Sequence, residues 1–222
     1  ADVVVAGRKA SKSKEAAAEL AKLGVRTAVV EVDVADEKSC QAMVAAAAKQ
    51  MGRIGILVNN AGINIRKPPE TYTSKEWREI LSINLDGAFY CSQAVYPEMK
   101  KAGGGKIINI GSMMSIFGAP LTTAYAASKG GIVQMTRALA TAWAKDNIQV
   151  NSILPGWIDT ELTQRARVDI EGPNENLLPR TPPGRWGTPE AFSGIAVSLA
   201  APASDFLTGT AIPVCGGFSI RG

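Results

Sequence analysis

An α/β protein with a doubly wound parallel sheet and three α/β/α layers is what this sequence predicts, on three observations. Short apolar runs rich in Val and Ile alternate with longer segments of helical period, as buried parallel strands and their crossover helices require. Each apolar run ends on a glycine, a serine or an acid, the residues of a crevice at the carboxyl ends of strands. And 222 residues with 46% apolar content suffice for one sizeable core, so one domain spanning 1–222 is expected.

The elements follow in order. "ADVVVAG" (1–7) reads as a strand, and "KSKEAAAELAKLG" (12–24) as a helix ended by Gly24. "VRTAVVEVD" (25–33) is the next strand, followed by a helix at 36–52 with Asp36 as its N-cap. "IGILVNNAG" (54–62) is a strand running into a glycine turn, and 74–105 reads as one long helix starting at Ser74. Strand "KIINIGS" (106–112), helix 123–147, strand "IQVNSILPG" (148–156), helix 188–202 and strand "GTAIPVCGG" (209–217) complete the pattern. Residues 157–187, rich in Pro, Gly and charge, form a connection long enough to serve as a substrate loop.

Composition narrows the chemistry. The formal charge is +4 with the basic residues dispersed, which argues against a nucleic-acid partner or a membrane surface. No apolar run approaches the roughly 18 residues of a membrane span, and no secretory pattern opens the chain. Cys40, Cys91 and Cys215 are odd in number and far apart in sequence, without disulfide or zinc-ligand spacing, so a reducing cytoplasm is expected and no metal site. The absence of histidine removes Ser-His-Asp and Cys-His nucleophile systems. Acid–base work then falls to Tyr, Lys, Cys and carboxylates.

Ser112 ends the strand "KIINIG", so its hydroxyl is expected at the crevice mouth. Tyr125 and Lys129 stand four apart near the start of the next helix and share one face. An ammonium one turn away from a phenol favours the phenolate, which supplies a base without histidine.

Five stretches in this order, "NNAG" (59–62), "NLDGAF" (84–89), "INIGS" (108–112), "YAASK" (125–129) and "PGWIDT" (155–160), make the chain resemble a short-chain dehydrogenase/reductase along its whole length. The stretches "AGRK" and "GRWGTPE" are more loosely similar to bacterial gluconate and deoxygluconate dehydrogenases of that family. The resemblance implies a single Rossmann-like domain and a hydride exchanged between a nicotinamide cofactor and a secondary alcohol or ketone. It implies a catalytic set of Asn84, Ser112, Tyr125 and Lys129: Tyr125 as acid/base, Lys129 lowering its pKa and binding ribose, Ser112 bonding the substrate oxygen, and Asn84 holding a water that leads to Lys129. It implies cofactor contacts from Asp33, Val34, Asn59, Asn60, Ala61, Gly62, Pro155, Gly156, Ile158 and Thr160. A homotetramer is the family's common state, and apolar residues on more than one face of the helices at 74–102 and 123–147 fit it.

Arg8 bears on which nicotinamide cofactor is used. A ribose 2′-hydroxyl is usually met by an acid at this strand end and a 2′-phosphate by a guanidinium, so "AGRK" favours NADP(H), with NAD(H) as the alternative. The substrate is expected beneath residues 157–186, against Ser112, Tyr125 and Trp157. Arg165, Arg167, Arg180, Arg185 and Trp186 supply cationic and aromatic contacts there for a sugar acid or polyol.

Two departures stand against the family pattern. No strand with a glycine-rich pyrophosphate turn precedes Ala1, which leads to the expectation that one β-turn-α unit of about thirty residues is absent from the chain as given. Its absence would leave two strand edges unpaired and raises the alternative of a truncated, non-catalytic binding or regulatory protein. Second, Cys215 stands where the family usually carries Asp.

Overall fold

In the computed structural model, residues 1–161, 163–164 and 177–221 are described. Strand β1 (Val3–Gly7) leads into α1 (Ala10–Ala21), β2 (Thr27–Glu31), α2 (Glu37–Met51) and β3 (Ile56–Asn59). Helices α3 (Ser74–Leu81) and α4 (Gly87–Lys101), strand β4 (Gly105–Ile110), α5 (Thr123–Trp143), β5 (Ile148–Pro155), α6 (Ser193–Ala200) and β6 (Ala211–Val214) follow. Every strand pairing among the described residues is parallel, as the alternation of apolar runs and helices predicted.

The strands fall into two sheets, β1-β2 and β3-β4-β5-β6, where the sequence pattern by itself suggested a single one. β1 and β3 are each the end strand of a sheet, and Val58 on β3 is 52% exposed although its neighbours in the run are apolar.

Three layers arise because consecutive strand residues face opposite ways. Ile107 and Val150 join Val95 and Met99 of α4, Cys40 and Val44 of α2 and Leu139 of α5 in one core. Ile108 and Ile153, an odd number of residues away on the same strands, point to the other face and pack on Leu199 of α6. Each of these aliphatic side chains, buried from water, contributes about 1.5–3 kcal/mol of transfer free energy.

The segment read as one helix over 74–105 is broken. Thr73, rather than Ser74, caps α3, and a full capping box with Glu76 fixes its first turn. A π-helical turn at Ser82–Asp86 then separates α3 from α4, and β4 begins at Gly105. Such wide turns insert one extra residue and re-aim side chains, commonly at functional positions. Here the re-aimed residue is Asn84, which is 1% exposed.

Just past the π turn, Gly87 opens α4 against the loop after β2. A Cβ at this position would lie 2.8 Å from the Val34 carbonyl oxygen and 2.9 Å from Val34 Cβ. Backbone cannot yield as a flexible side chain does, so Gly87→Ala is expected to destabilise the fold by about 1–3 kcal/mol, read as a lowered midpoint in urea unfolding with an unchanged slope.

Candidate active site

The centre of the site is built where β4 ends. Gly111 lies so close to β5 that a Cβ would meet Leu154 Cδ2 at 2.4 Å. The chain then turns sharply, and Ser112 caps a short 3-10 turn at Met113–Ser115, its hydroxyl accepting from the Met114 amide. The Ser115 hydroxyl accepts from the Ser112 amide (3.1 Å) and donates to the Lys129 carbonyl (2.7 Å), fastening this turn to α5. Sequence reasoning passed over Ser115.

Helical spacing places Tyr125, Ser128 and Lys129 on adjoining positions of α5. Lys129 is 4% exposed, and its ammonium donates to the carbonyl of Ile110, the last residue of β4, at 2.7 Å. The same Nζ sits 5.7 Å from the Tyr125 ring centroid and beside Gly62, where a Cβ would lie 3.5 Å from it and 3.5 Å from Asn84 Oδ1. Asn84 is committed on three sides: Oδ1 accepts from the Ile63 amide (2.8 Å), and Nδ2 donates to the Ile63 carbonyl (2.9 Å) and to Ser128 Oγ (3.1 Å). It therefore ties the loop after β3 to α5, on the same side of Gly62 as the Lys129 ammonium.

Ser112, Tyr125 and Lys129 face one cavity of about 1090 Å3. Asn60, Gly62, Pro155, Gly156, Trp157, Ile158 and Thr160 line it as well. Gly156 is needed there because a Cβ would strike Cys215 Cα at 2.6 Å. Trp157 packs edge-on against Trp186, ring centroids 5.6 Å apart. Among the lining residues that sequence reasoning missed are Asn64 and Arg66. Asn64 Oδ1 is buried with no hydrogen-bond partner among the described residues, a vacancy that a ligand hydroxyl would satisfy. The signal was present in "NNAGINIRKP", a polar and a cationic residue spaced by two after a strand end, but no periodicity marks it.

The electrostatics depart from the phenolate picture. Burial raises the Tyr125 pKa above that of a free phenol, and the hydrogen bond with Ser112 and the positive charge of Arg66 oppose it without prevailing. Lys129 is itself lowered to about 8 by burial and spends its hydrogen bond on Ile110 rather than on the phenol. Desolvation thus outweighs the expected pull of Lys129, and at neutral pH Tyr125 is a proton donor.

Several expected residues lie elsewhere. Asn59 is not turned to a ligand: its Nδ2 shares its protons among Asn109 Oδ1 (2.8 Å), Ser92 Oγ (3.0 Å) and the Ala88 carbonyl (3.3 Å). Asp33 accepts from the Ala35 amide as a turn residue, and Val34 packs on Gly87; neither lines the cavity, nor does the exposed Ala61. Arg180 stacks on Phe218 at 4.5 Å and Arg185 bonds the Trp186 carbonyl, so neither meets the cavity; Arg165 and Arg167 lie outside the described residues. Arg8 forms a separate hollow of about 560 Å3 with Gly7, Lys9, Lys12 and Ser13. Cys40 and Cys91, distant in sequence, meet with Sγ atoms 3.5 Å apart as buried free thiols.

The lowered Lys129 makes stability depend on pH with a definite sign. Between about 8 and the ordinary lysine range the unfolded chain holds a proton that the folded chain has released. Stability from this group therefore rises with pH across that window and is lost as pH falls through about 8. Urea unfolding at pH 8 and pH 10 is expected to show this gain in the parent chain, and Lys129→Met is expected to lack it.

A family model described as enoyl-(acyl carrier protein) reductase matches residues 1–219. A 2-dehydro-3-deoxy-D-gluconate 5-dehydrogenase of Dickeya dadantii is 41% identical over 209 residues, 94% of this chain and 82% of the relative. A gluconate 5-dehydrogenase of Gluconobacter oxydans is 38% identical over 220 residues, 99% of this chain and 86% of the relative. The crystal structure of a gluconate 5-dehydrogenase from Burkholderia cenocepacia in complex with NADP and tartrate superposes with a TM-score of 0.95 at 37% identity, covering 100% of this chain and 87% of that one. These relatives are named as dehydrogenases, which leaves the non-catalytic alternative without support. With the Ser112, Tyr125 and Lys129 constellation in its parallel α/β fold, the chain belongs to the short-chain dehydrogenase/reductase family and is an oxidoreductase of CH–OH groups.

Proposed function

We propose that this protein interconverts a secondary alcohol and a ketone on a sugar acid, with NADP(H) as the favoured nicotinamide cofactor and NAD(H) as the lesser one. The observation that carries the reading is the Tyr125 phenol, facing one cavity with Ser112 and with the buried Lys129 ammonium 5.7 Å from its ring centroid, where the cavity is also lined by Arg66 and by Asn64, whose Oδ1 has no partner among the described residues. Arg66 matches a carboxylate, Asn64 Oδ1 matches a hydroxyl, and the relatives' named substrates are sugar acids.

The residues present fit a dinucleotide at both ends. Asn60, Gly62, Lys129, Ile158 and Thr160 would hold the nicotinamide half, and Gly62 leaves the backbone bare beside Lys129. The hollow of Arg8, Lys9 and Lys12 would hold a 2′-phosphate. When bound, the cofactor supplies or accepts the hydride. Tyr125, kept protonated by burial, gives its proton to the carbonyl oxygen in reduction and recovers it in oxidation. Ser112 donates to the same oxygen and steadies the charge that develops there. Asn84 serves by holding the loop that carries Gly62 and Asn64. Trp157, Thr163 and Leu177, which line the cavity, would flank the substrate. Because the phenol's pKa is raised, oxidation quickens with rising pH while reduction is sustained at neutrality.

A cytoplasmic working place fits three free thiols; among the described residues no helix is long and apolar enough to cross a membrane. A homotetramer fits the exposed Trp77 on α3 and Phe89 on α4, which present apolar surface outside the core.

Two measurements test the reading. Titration against reduced-nicotinamide fluorescence is expected to give an NADPH dissociation constant at least about tenfold below that of NADH, with the preference removed in Arg8→Ala, the scale of one charge-assisted contact. Tyr125→Phe is expected to lose turnover of gluconate and 5-ketogluconate by at least about a thousandfold while keeping NADPH affinity; full activity in that variant overturns the assignment.

A further inference from the structure

Arg66 sits on an irregular segment after β3, where a long side chain ordinarily wanders. Both of its sequence neighbours are fastened. On the amino side, the Tyr72 hydroxyl donates to the Ile65 carbonyl. On the carboxyl side, the Lys67 amide donates to the Leu121 carbonyl at 3.2 Å, and the Lys67 ammonium meets both oxygens of Glu76 at 2.9 Å. Glu76 is held in turn by α3, accepting from the Thr73 amide and hydroxyl, each at 2.8 Å. The Lys67 ammonium also lies 5.6 Å from the centroid of the Tyr72 ring, closing the group on itself.

This is more apparatus than the capping of α3 needs. The capping box is complete between Thr73 and Glu76 alone. Adding Lys67 and Tyr72 instead fixes a four-residue stretch, Asn64 to Lys67, whose first and third residues line the cavity. The pair is also partly shielded, with Lys67 and Glu76 side chains 24% and 28% exposed, so it survives salt better than a surface bridge. The Arg66 charge opposes the upward pKa shift of both Tyr72 and Tyr125, so it lies within electrostatic reach of the bracket and of the reacting hydroxyl.

We propose that Lys67, Glu76 and Tyr72 are positioning residues that hold Arg66 at the angle needed to receive the carboxylate of the substrate. The inference rests on the sugar-acid reading above. The bracket acts through Arg66 on substrate affinity, and it leaves the proton transfer at Tyr125 and the binding of the cofactor alone. Its strength lies in preorganisation: an arginine already held in place loses less freedom on binding than a mobile one.

The experiment compares the parent chain with Glu76→Gln, Tyr72→Phe, Arg66→Met and the Arg66→Met/Glu76→Gln double variant. Each is measured for kcat and KM with gluconate, for gluconate affinity by calorimetry on the NADP-loaded protein, and for NADPH affinity. Glu76→Gln keeps a capping side chain at N3 while removing the ion pair, and Tyr72→Phe keeps the ring while removing one hydrogen bond. Each is expected to raise KM and the gluconate dissociation constant about tenfold, with kcat within about twofold and NADPH affinity unchanged, the scale of a weakened contact to a charged group. The double variant is expected to be no weaker than Arg66→Met alone, because the bracket has nothing left to position. Unchanged KM in both bracket variants overturns the proposal, and so does a loss in which kcat and NADPH affinity fall as KM rises. Additive losses in the double variant overturn it too. A parent chain without gluconate affinity, or an Arg66→Met variant that binds gluconate normally, instead brings down the sugar-acid reading on which the bracket depends.

Discussion

A lysine ammonium driven almost wholly out of water is the constraint around which this molecule is arranged. Burial of a charge is costly unless a partner is supplied, and Lys129 obtains one from the Ile110 carbonyl at the end of β4. That bond fixes α5 to the sheet at the point where the chain leaves it. Ser115 repeats the fastening through the Lys129 carbonyl, and the same turn presents Ser112 to Tyr125. Gly62 lies beside the lysine, and Asn84 keeps Gly62's loop against it. One buried charge thus organises a strand end, a helix, a loop and a wide helical turn.

The consequence for chemistry is that the two ionisable groups are moved in opposite senses by one cause. Desolvation raises the phenol and lowers the ammonium. Each is shifted toward its neutral form, so burial works against an ion pair between them. The phenol waits as a donor, and Arg66 supplies the positive field that tempers the shift. Charge in this cavity therefore comes from the loop after β3 as well as from α5.

Legibility followed the range of the interactions. Ser112, Tyr125 and Lys129 were readable because strand ends and helical spacing are local geometry, and the structure brings all three to one cavity. Pro155 and Gly156 stood out as a strand end, whereas Ile158 and Thr160 came from the family resemblance; all four line the cavity. Asn59 was misread because its partners Ser92 and Asn109 come from α4 and β4, 33 and 50 residues away. The arginines of 157–187 drew attention by composition, whereas among the described residues the arginine lining the cavity is Arg66, whose neighbours Ile65 and Lys67 are held by Tyr72 and Glu76. Cys40 and Cys91 looked unrelated until α2 packed on α4.

The sequence by itself determined the parallel α/β order, the two faces of the sheet and the helical juxtaposition of Tyr125 with Lys129, because periodicity and i, i+4 spacing act within a few residues. Only the tertiary structure decided that Asn84 is a tether, that Tyr125 holds its proton and that Arg66 enters the cavity. Those outcomes depend on burial and on hydrogen bonds between distant elements, and desolvation is a property of the packed surroundings that no local spacing records.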